Sequence, residues 1–305
     1  GDLSVATSYA ASGLGIIPIL ISGSVDQKKK FLPQLASGEK LAAFGLTEAE
    51  AGSDAGNIRT TALKEKNCYV LNGTKQWITN GGEADIYVIF AMTNPEKGIR
   101  GASAIIVEKG TPGFEFGKKE DKLGIRASAT RELVFTDCRV PEENILDKEG
   151  MGFIIAMKTF DQSRPVVGAQ AVGVAQAALE EALDYSKVRK QFGTPISSFQ
   201  AIQHILADMA INIEAARALV YHTARVIDSG EKNISKISSM SKIFASDMAM
   251  KVTSDAVQIF GGYGFMKEYP VEKMMRDAKI TQIYEGTNQI LRNIVALDMI
   301  KRGVL

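Results

Sequence analysis

The chain has 305 residues, 45% of them hydrophobic and 23% charged, a composition that supports one large core or two to three smaller ones and argues against disorder. Thirty-six Lys and Arg against 35 Asp and Glu leave a formal net charge of +1, so there is no electrostatic footprint for nucleic acid or an anionic membrane. Any anionic ligand has to be held locally. Cys68 and Cys138 are the only cysteines and His204 and His222 the only histidines, too few for a disulfide framework or a His/Cys metal cluster. On one continuous helix the two histidines lie about five turns apart and could not share a metal, so no metal site is expected. The longest apolar stretch, Leu14 to Ile21, contains Gly15 and Pro18 and falls far short of the roughly 20 residues of a membrane span. The opening Gly1-Asp2-Leu3 carries neither Met nor a basic targeting segment.

Residues 1–43 read as helical, with Ser24, Asp26 and Gln27 opening a short helix through Phe31 and Leu32 before a break at Gly38. From Phe44 the pattern changes to short β-prone runs: Cys68 to Leu71, Lys75 to Ile78, Asp85 to Met92, Ala102 to Val107 and Glu132 to Phe135. Asn72-Gly73, between the first two, predicts a two-residue hairpin, because a type I′ turn needs positive φ at both central positions. The β segment ends near Pro141 and gives a middle domain over 44–150. Beyond Gly152 the period becomes 3.6. Val172, Ala175, Leu179 and Leu183 mark one helix, and Ile202, Ile205, Leu206, Met209, Ile213, Leu219 and Val220 a second of about thirty residues. Met240, Phe244, Met248, Val252 and Ile259 mark a third, and Asn288 to Arg302 a fourth with Ile290, Ile294, Leu297 and Ile300 inward. Four long amphipathic helices in succession predict a bundle over 151–305. The fold class is α+β.

Several segments carry candidate chemistry. Ile283-Tyr284-Glu285-Gly286-Thr287-Asn288-Gln289-Ile290 sets one carboxylate beside a glycine at a turn that leads into a helix. Taken alone, Glu285 reads as a solvated loop acid. Gly52-Ser53 can bring backbone N–H groups and a hydroxyl close to phosphate or carbonyl oxygens, and equally suits an ordinary turn. Strand alternation puts Trp77 and Thr79 on one face, an aromatic wall with a hydroxyl donor; a core tryptophan is the plainer reading. Arg164 and Asp161 stand i, i+3, the spacing of a simple helical ion pair. Gly261-Gly262-Tyr263-Gly264 follows a helix rather than a strand and lacks the third glycine of the dinucleotide fingerprint, which rejects a Rossmann domain.

Taken in order, Phe44-Gly45-Leu46-Thr47-Glu48 through Gly52-Ser53-Asp54, Lys75-Gln76-Trp77-Ile78-Thr79-Asn80-Gly81, Phe160-Asp161-Gln162-Ser163-Arg164-Pro165, Arg189-Lys190-Gln191-Phe192-Gly193, Gln258-Ile259-Phe260-Gly261-Gly262 and the Glu285 segment resemble the acyl-CoA dehydrogenase family of flavoproteins. The resemblance covers essentially the whole chain. It implies the remainder of a helical N-terminal domain over 1–43, a middle β-barrel or sandwich, and a C-terminal four-helix bundle. It also implies that the family's first helices precede the point matching Gly1. FAD is the implied cofactor, held with help from a second subunit, so a homodimer or homotetramer is expected. Electron-transferring flavoprotein is the implied redox partner. No targeting segment being visible, the compartment implied is the cytoplasm of a bacterium or the mitochondrial matrix of a eukaryote.

Carried over residue by residue, the resemblance makes Glu285 the base that removes the α-proton of an acyl-CoA while the β-hydride leaves for the flavin, giving a trans-2-enoyl-CoA. Thr79 would donate to the flavin, Trp77 and Ile78 would lie along its ring, and Phe44, Leu46 and Thr47 would hold the other side. Gly52 and Ser53 match the flavin and substrate loop. Ser53, Phe160, Asp161, Arg164 and Gly286 match positions at the acyl-CoA. Arg189, Gln191, Phe192, Gln200, Gln258, Gly261 and Gly262 match FAD contacts given across the subunit interface, and Thr287 and Gln289 match contacts to its adenosine. A carboxylate is a weak base for a thioester α-carbon, so the chemistry calls for a desolvated Glu285 and two donors aimed at the carbonyl oxygen.

Some relatives place their base on a bundle helix, at the position of Ser163. A neutral Ser163 with Glu285 present is similar to the short- to medium-chain and glutaryl-type branch, bacterial butyryl-CoA dehydrogenases above all. The reverse reaction, enoyl-CoA reduction with a bifurcating or confurcating flavoprotein partner, stays open. An acyl-CoA oxidase and a non-catalytic assembly module are lesser alternatives, the last disfavoured by the presence of Glu285, Thr79 and Trp77.

Overall fold

The computed structural model describes residues 2–303, which form two compact units. One comprises residues 7–121 and 126–163, the other 2–6, 122–125 and 164–303.

The first unit opens with helices α1 (Leu3–Ser22, its first residues assigned to the other unit) and α2 (Val25–Ala36). Ser24 caps α2 as its sequence announces: its hydroxyl accepts from the Gln27 N–H at 3.1 Å, and the Gln27 side chain accepts from the Ser24 N–H at 2.8 Å. Contrary to the expectation drawn from Leu14 to Ile21, α1 runs for 20 residues through Gly15 and Pro18 and is long and apolar enough to cross a membrane by length and composition alone. One face packs into the unit, where Ile19 is fully buried and a Cβ on Gly15 would stand 2.8 Å from that of Ala42, while Val5, Tyr9 and Leu20 are exposed.

The sheet is built from β1 (Ala42–Gly45), β2 (Thr61–Glu65), β3 (Cys68–Thr79), β4 (Ile86–Met92), β5 (Ala102–Glu108), β6 (Phe114–Phe116) and β7 (Thr130–Pro141). β5 pairs antiparallel with β4; β1 and the end of β2 pair parallel to it; β3, β7 and β6 follow antiparallel. Every residue of β4 is buried, and its alternate side chains feed two cores. Ile86, Val88, Phe90 and Met92 join Ile19, Phe31 and Leu35 of the helices, while Tyr87, Ile89 and Ala91 join Leu133, Phe135 and Phe114.

The Asn72-Gly73 hairpin does not form. β3 runs straight through it, and the pair is a bulge where the register with β7 slips between Leu71 and Gly73. Gly73 is required there by a φ of 136° and by Thr60, whose Cα would lie 2.8 Å from an added Cβ. The true hairpin joins β2 to β3 through Lys66 and Asn67, with Lys66 in the left-handed region at φ 55°. A second slip, between Lys75 and Ile78, breaks the alternation that would have set Trp77 and Thr79 on one face.

The second unit is helical. It holds most of α3 (Gly152–Val188), with α4 (Gln200–Asp228), α5 (Ser235–Phe260), the short α6 (Val271–Ala278) and α7 (Asn288–Arg302). Its core is lined by small residues that let the helices approach: Ala171, Ala175 and Ala178 of α3 meet Met209, Ile213 and Val220 of α4 and Ala245, Ala249 and Val252 of α5. Three expected inward faces differ. Leu183 of α3 is partly exposed, and α5 buries Ser238, Ser241, Lys242, Ala245 and Ser246 while Met240 and Phe244 also stay partly exposed. α7 docks through Asn288 and Leu291, leaving Leu297 and Ile300 exposed. Close packing of α5 selects its small side chains for the interior, and its large ones, with Val295, Met299 and Ile300, line an open apolar groove of about 700 Å³.

Candidate active site

In the second unit, the chain between α6 and α7 makes a tight turn at Glu285, whose φ of 55° is left-handed, followed by Gly286 at 97°. A left-handed backbone is rare outside Gly, Asn and Asp and persists only where neighbours over-determine it. The neighbours here are numerous. Arg164, buried on α3, donates Nε–H to the Glu285 carbonyl oxygen at 3.2 Å. Lys242, 0% exposed on α5, donates Nζ–H to the Gly286 carbonyl and to Asn288 Oδ1, both at 2.9 Å. Tyr284 donates its hydroxyl to Gln170 Oε1 at 2.5 Å.

One turn along α5, Asp247 grips both sides of the loop. It accepts from Gln282 Nε2 at 2.6 Å, Asn288 Nδ2 at 2.8 Å and Arg292 Nη2 at 2.6 Å. Although burial works the other way, these hydrogen bonds and the Arg292 charge hold the Asp247 carboxyl below its usual range. Thr287 then caps α7, its hydroxyl accepting from the Ile290 N–H at 3.3 Å. Thr287 and Gln289 line a polar pocket of about 480 Å³ with Asp247, Lys279 and Arg292.

The same unit gathers the second group of expected residues at the ends of three helices. Arg189, just past α3, lies over the Tyr263 ring at 5.2 Å, and Tyr185 stacks on Phe260 at 4.0 Å. Gly261, at φ 63°, and Gly262 leave open space where a Cβ would stand. Gln258, Gln191 and Gln200 are exposed, and Phe192 is 96% exposed with a left-handed φ of 51°.

In the first unit, Trp77 is 58% exposed and left-handed at φ 56°, aimed off β3 by the second bulge. Beside it, Lys75 is wholly buried and donates to the Leu46 carbonyl at 3.1 Å and to Glu48 Oε1 at 2.7 Å. The Gln76 N–H donates to the Thr47 carbonyl at 2.8 Å. The Leu46–Thr47 loop is thereby locked against the strand that presents Trp77 and Thr79. Glu48 completes the lock by accepting the N–H groups of Arg59 at 2.6 Å and Thr60 at 2.9 Å. Phe44 and Ile78 point into the core, Phe44 packing on Phe90 and Phe160, so only their main chain can face a ligand. Gly52 and Ser53 sit on an exposed turn, and Phe160 and Asp161 are half-buried on α3.

Lys242 and Asp247 lie outside the motif segments, and Lys75, Glu48 and Asn288 stand within them without an assigned role. The available signal was a lysine at a helical-period position within the Ser/Ala stripe of α5, and a lysine one residue before the aromatic bulge.

Residues 43–138 match the acyl-CoA dehydrogenase middle domain and residues 150–300 the acyl-CoA dehydrogenase C-terminal domain. The acryloyl-CoA reductase (NADH) of Anaerotignum propionicum is 54% identical over 282 residues, 92% of this chain and 71% of that protein. The solved butyryl-CoA dehydrogenase of Megasphaera elsdenii matches with a TM-score of 0.96 and 53% identity over 98% of this chain and 78% of that one. A chain in a structure of the electron transferring flavoprotein of Acidaminococcus fermentans, directed at flavin-based electron bifurcation, matches with a TM-score of 0.94 and 54% identity over 96% of this chain and 77% of that one. A pinned, left-handed glutamate ahead of α7, an exposed tryptophan on a β bulge, and these matches over both units agree: the chain belongs to the acyl-CoA dehydrogenase family.

Proposed function

We propose that the protein catalyses the FAD-dependent α,β-dehydrogenation of a short-chain acyl-CoA to a trans-2-enoyl-CoA, with Glu285 as the base. The observation that carries this reading is the left-handed Glu285, fixed by side chains from α3 and α5 on the carbonyls of residues 285 and 286. Backbone strain held in place by buried charged groups is a mark of a functional position, and the residue so held is a carboxylate.

The residues present fit a flavin. Trp77 offers an exposed indole, the Leu46–Thr47 loop is rigid, Gly261 and Gly262 leave room for close approach, and the pocket at Thr287 and Gln289 has the polar lining a nucleotide needs. When bound, FAD supplies the hydride acceptor. Trp77, Thr79, Leu46 and Thr47 would hold its ring system; Arg189, Gln191, Phe192, Gln200, Gln258, Gly261 and Gly262 would contact it in a neighbouring subunit; Thr287 and Gln289 would hold its adenosine. Ser53, Phe160, Asp161, Arg164 and Gly286 would orient the acyl-CoA. Glu285 takes the α-proton onto a carboxylate oxygen, and its main-chain N–H is a donor for the thioester oxygen as negative charge develops there. General-base assistance of this kind contributes about 10²–10⁴-fold.

Electron-transferring flavoprotein is the partner that takes the electrons. The butyryl-CoA dehydrogenase of M. elsdenii favours a short acyl group, and the Acidaminococcus match supports the partner. The similarity to an acryloyl-CoA reductase favours a second reading, in which the same site runs as an enoyl-CoA reductase.

Anaerobic titration of the holoprotein with butyryl-CoA tests the proposal. Bleaching of the oxidised flavin band, lost in Glu285→Gln while flavin stays bound, is the expected result; unimpaired bleaching in that variant removes Glu285 from the mechanism.

A further inference from the structure

The buried lysine on α5 is not explained by the family reading. Lys242 has no exposed surface, yet both acceptors it reaches at 2.9 Å, the Gly286 carbonyl and Asn288 Oδ1, are neutral. Lys75, the other fully buried lysine among the described residues, has the Glu48 carboxylate at 2.7 Å. Burying an ammonium costs several kcal/mol, whereas a neutral amide could cap the same two acceptors. A lysine kept at such a place implies that its charge is used.

We propose that Lys242 is a positioning residue for the reaction, holding the Glu285–Gly286 turn through the Gly286 carbonyl and supplying the counter-charge that keeps the Glu285 carboxylate ionised. The inference rests on Glu285 being the base.

Three charged groups bear on the ammonium from the elements around it. Burial pushes the Lys242 amine down to about 7, Glu285 pulls it back up most strongly, Arg164 on α3 pushes it further down, and Asp247 on its own helix pulls it up. Asp247 is already engaged by Arg292, Gln282 and Asn288. Glu285 is therefore the principal charge favouring protonated Lys242. Electrostatic coupling is reciprocal: what the carboxylate does for the ammonium, the ammonium does for the carboxylate. Arg164 adds a second cation, whose Nε donates to the Glu285 carbonyl. The two cations fix consecutive carbonyls, and so the direction in which the Glu285 side chain leaves the turn, and the Lys242 ammonium also bears on its charge.

The test uses holoprotein carrying Lys242→Gln, which retains a donor without the charge, Lys242→Arg, which retains the charge, and Lys242→Met, which retains neither. Two readouts are taken: the pH dependence of anaerobic flavin reduction at saturating acyl-CoA, and deuterium uptake by peptides covering 280–290. The expected result is an acid limb displaced upward by at least one pH unit in Lys242→Gln and Lys242→Met and returned toward its original position in Lys242→Arg. Faster exchange over the turn is expected in Lys242→Met and a smaller change in Lys242→Gln. A merely structural lysine would alter exchange or stability and leave the acid limb in place. An unmoved limb in Lys242→Gln, with Glu285→Gln inactive, overturns the inference alone; an active Glu285→Gln overturns the assignment of the base on which it rests.

Discussion

Arg164 Nε stands 3.2 Å from the carbonyl oxygen of Glu285, joining a buried helix position to a turn that lies 121 positions further along the chain. The bond goes to the main chain, so it acts directly on the left-handed backbone of the glutamate. With Lys242 on the next carbonyl and Asp247 holding Gln282 and Asn288 to either side, the turn is fixed at four points between residues 282 and 288. Such anchoring suits a base that must meet a carbon acid in one orientation, because small misplacement has a large effect on rate.

Gly286→Ala tests how narrow that tolerance is. Gly286 is left-handed at φ 97°, and a Cβ there would lie 3.0 Å from Leu291 Cδ2, a flexible end able to yield. Backbone strain therefore dominates, and urea unfolding should show a loss of about 1–2 kcal/mol. Flavin reduction by acyl-CoA should fall by about 10²-fold with flavin content unchanged. Retention of the full rate would mean that the turn geometry is not limiting.

Lys75→Met removes the ammonium that joins Glu48 to the Leu46 carbonyl. Breaking a buried pair costs about 3–5 kcal/mol, and the lower end is expected because Glu48 keeps two backbone donors. Weaker flavin retention should accompany it, measured by the free FAD found on ultrafiltration, since Leu46 and Thr47 lose their tie to β3. Adding Glu48→Gln should restore part of the stability by removing the unpaired carboxylate. A double variant no more stable than Lys75→Met would assign the loss to packing alone.

Elements governed by local periodicity were legible in the sequence. α4 follows from its 3.6 pattern, the extent of α7 though not its buried face likewise, β4 from its apolar run, and the start of α2 from Ser24 and Gln27. Elements decided by distant partners were not. Asn72-Gly73 carries a strong local turn signal, but pairing of β3 with β7 on both sides of it, with Asn72 bonded to the main chain of Asp137 at 2.8 Å, overrides that preference. The large apolar residues of α5 suggested an inward face, while close helix approach gave the interior to Ser, Ala and Lys242. At the site, the motif segments point to Glu285 and Trp77, but nothing local announces that both are left-handed, because that backbone is imposed by a bulge and by buried charges elsewhere, whereas Phe192 is left-handed through the local two-residue turn it makes with Gly193.

The misread turn yields its own prediction. Were Asn72-Gly73 a free hairpin tip, Gly73→Ala would cost only the left-handed backbone, about 1 kcal/mol, with no clash. In the observed bulge the new Cβ meets Thr60 Cα and Oγ1 at 2.8 Å with φ at 136°, so a loss of about 1–3 kcal/mol is expected in urea unfolding. A loss no larger than the backbone term alone, about 1 kcal/mol, would mean that the Thr60 contact costs nothing and would restore the hairpin interpretation.

The two buried lysines give the stability a definite pH dependence. Burial pushes Lys242 down to about 7 and Lys75, against the pull of Glu48, down to about 8, while each returns to its ordinary 10.5 on unfolding. Below pH 7 both are protonated in both states and the full penalty of burying charge is present. As pH rises above 7 the folded protein releases these protons before the unfolded chain does, so the unfolded state binds more protons and stability climbs, by at most about 1.4 kcal/mol per pH unit for each lysine. Above pH 9 the trend is opposed by Cys138, whose thiol burial raises from 9.0 to about 11, so that the unfolded chain loses its proton first. The window is therefore pH 7 to 9. Urea midpoints measured at pH 7, 8 and 9 should increase, and the increase should shrink in Lys242→Gln, which contributes no titrating group. A flat profile in the parent protein would mean that both lysines keep their protons, with water or a carboxylate stabilising the charge more strongly than the burial and partners of Lys242 and Lys75 imply.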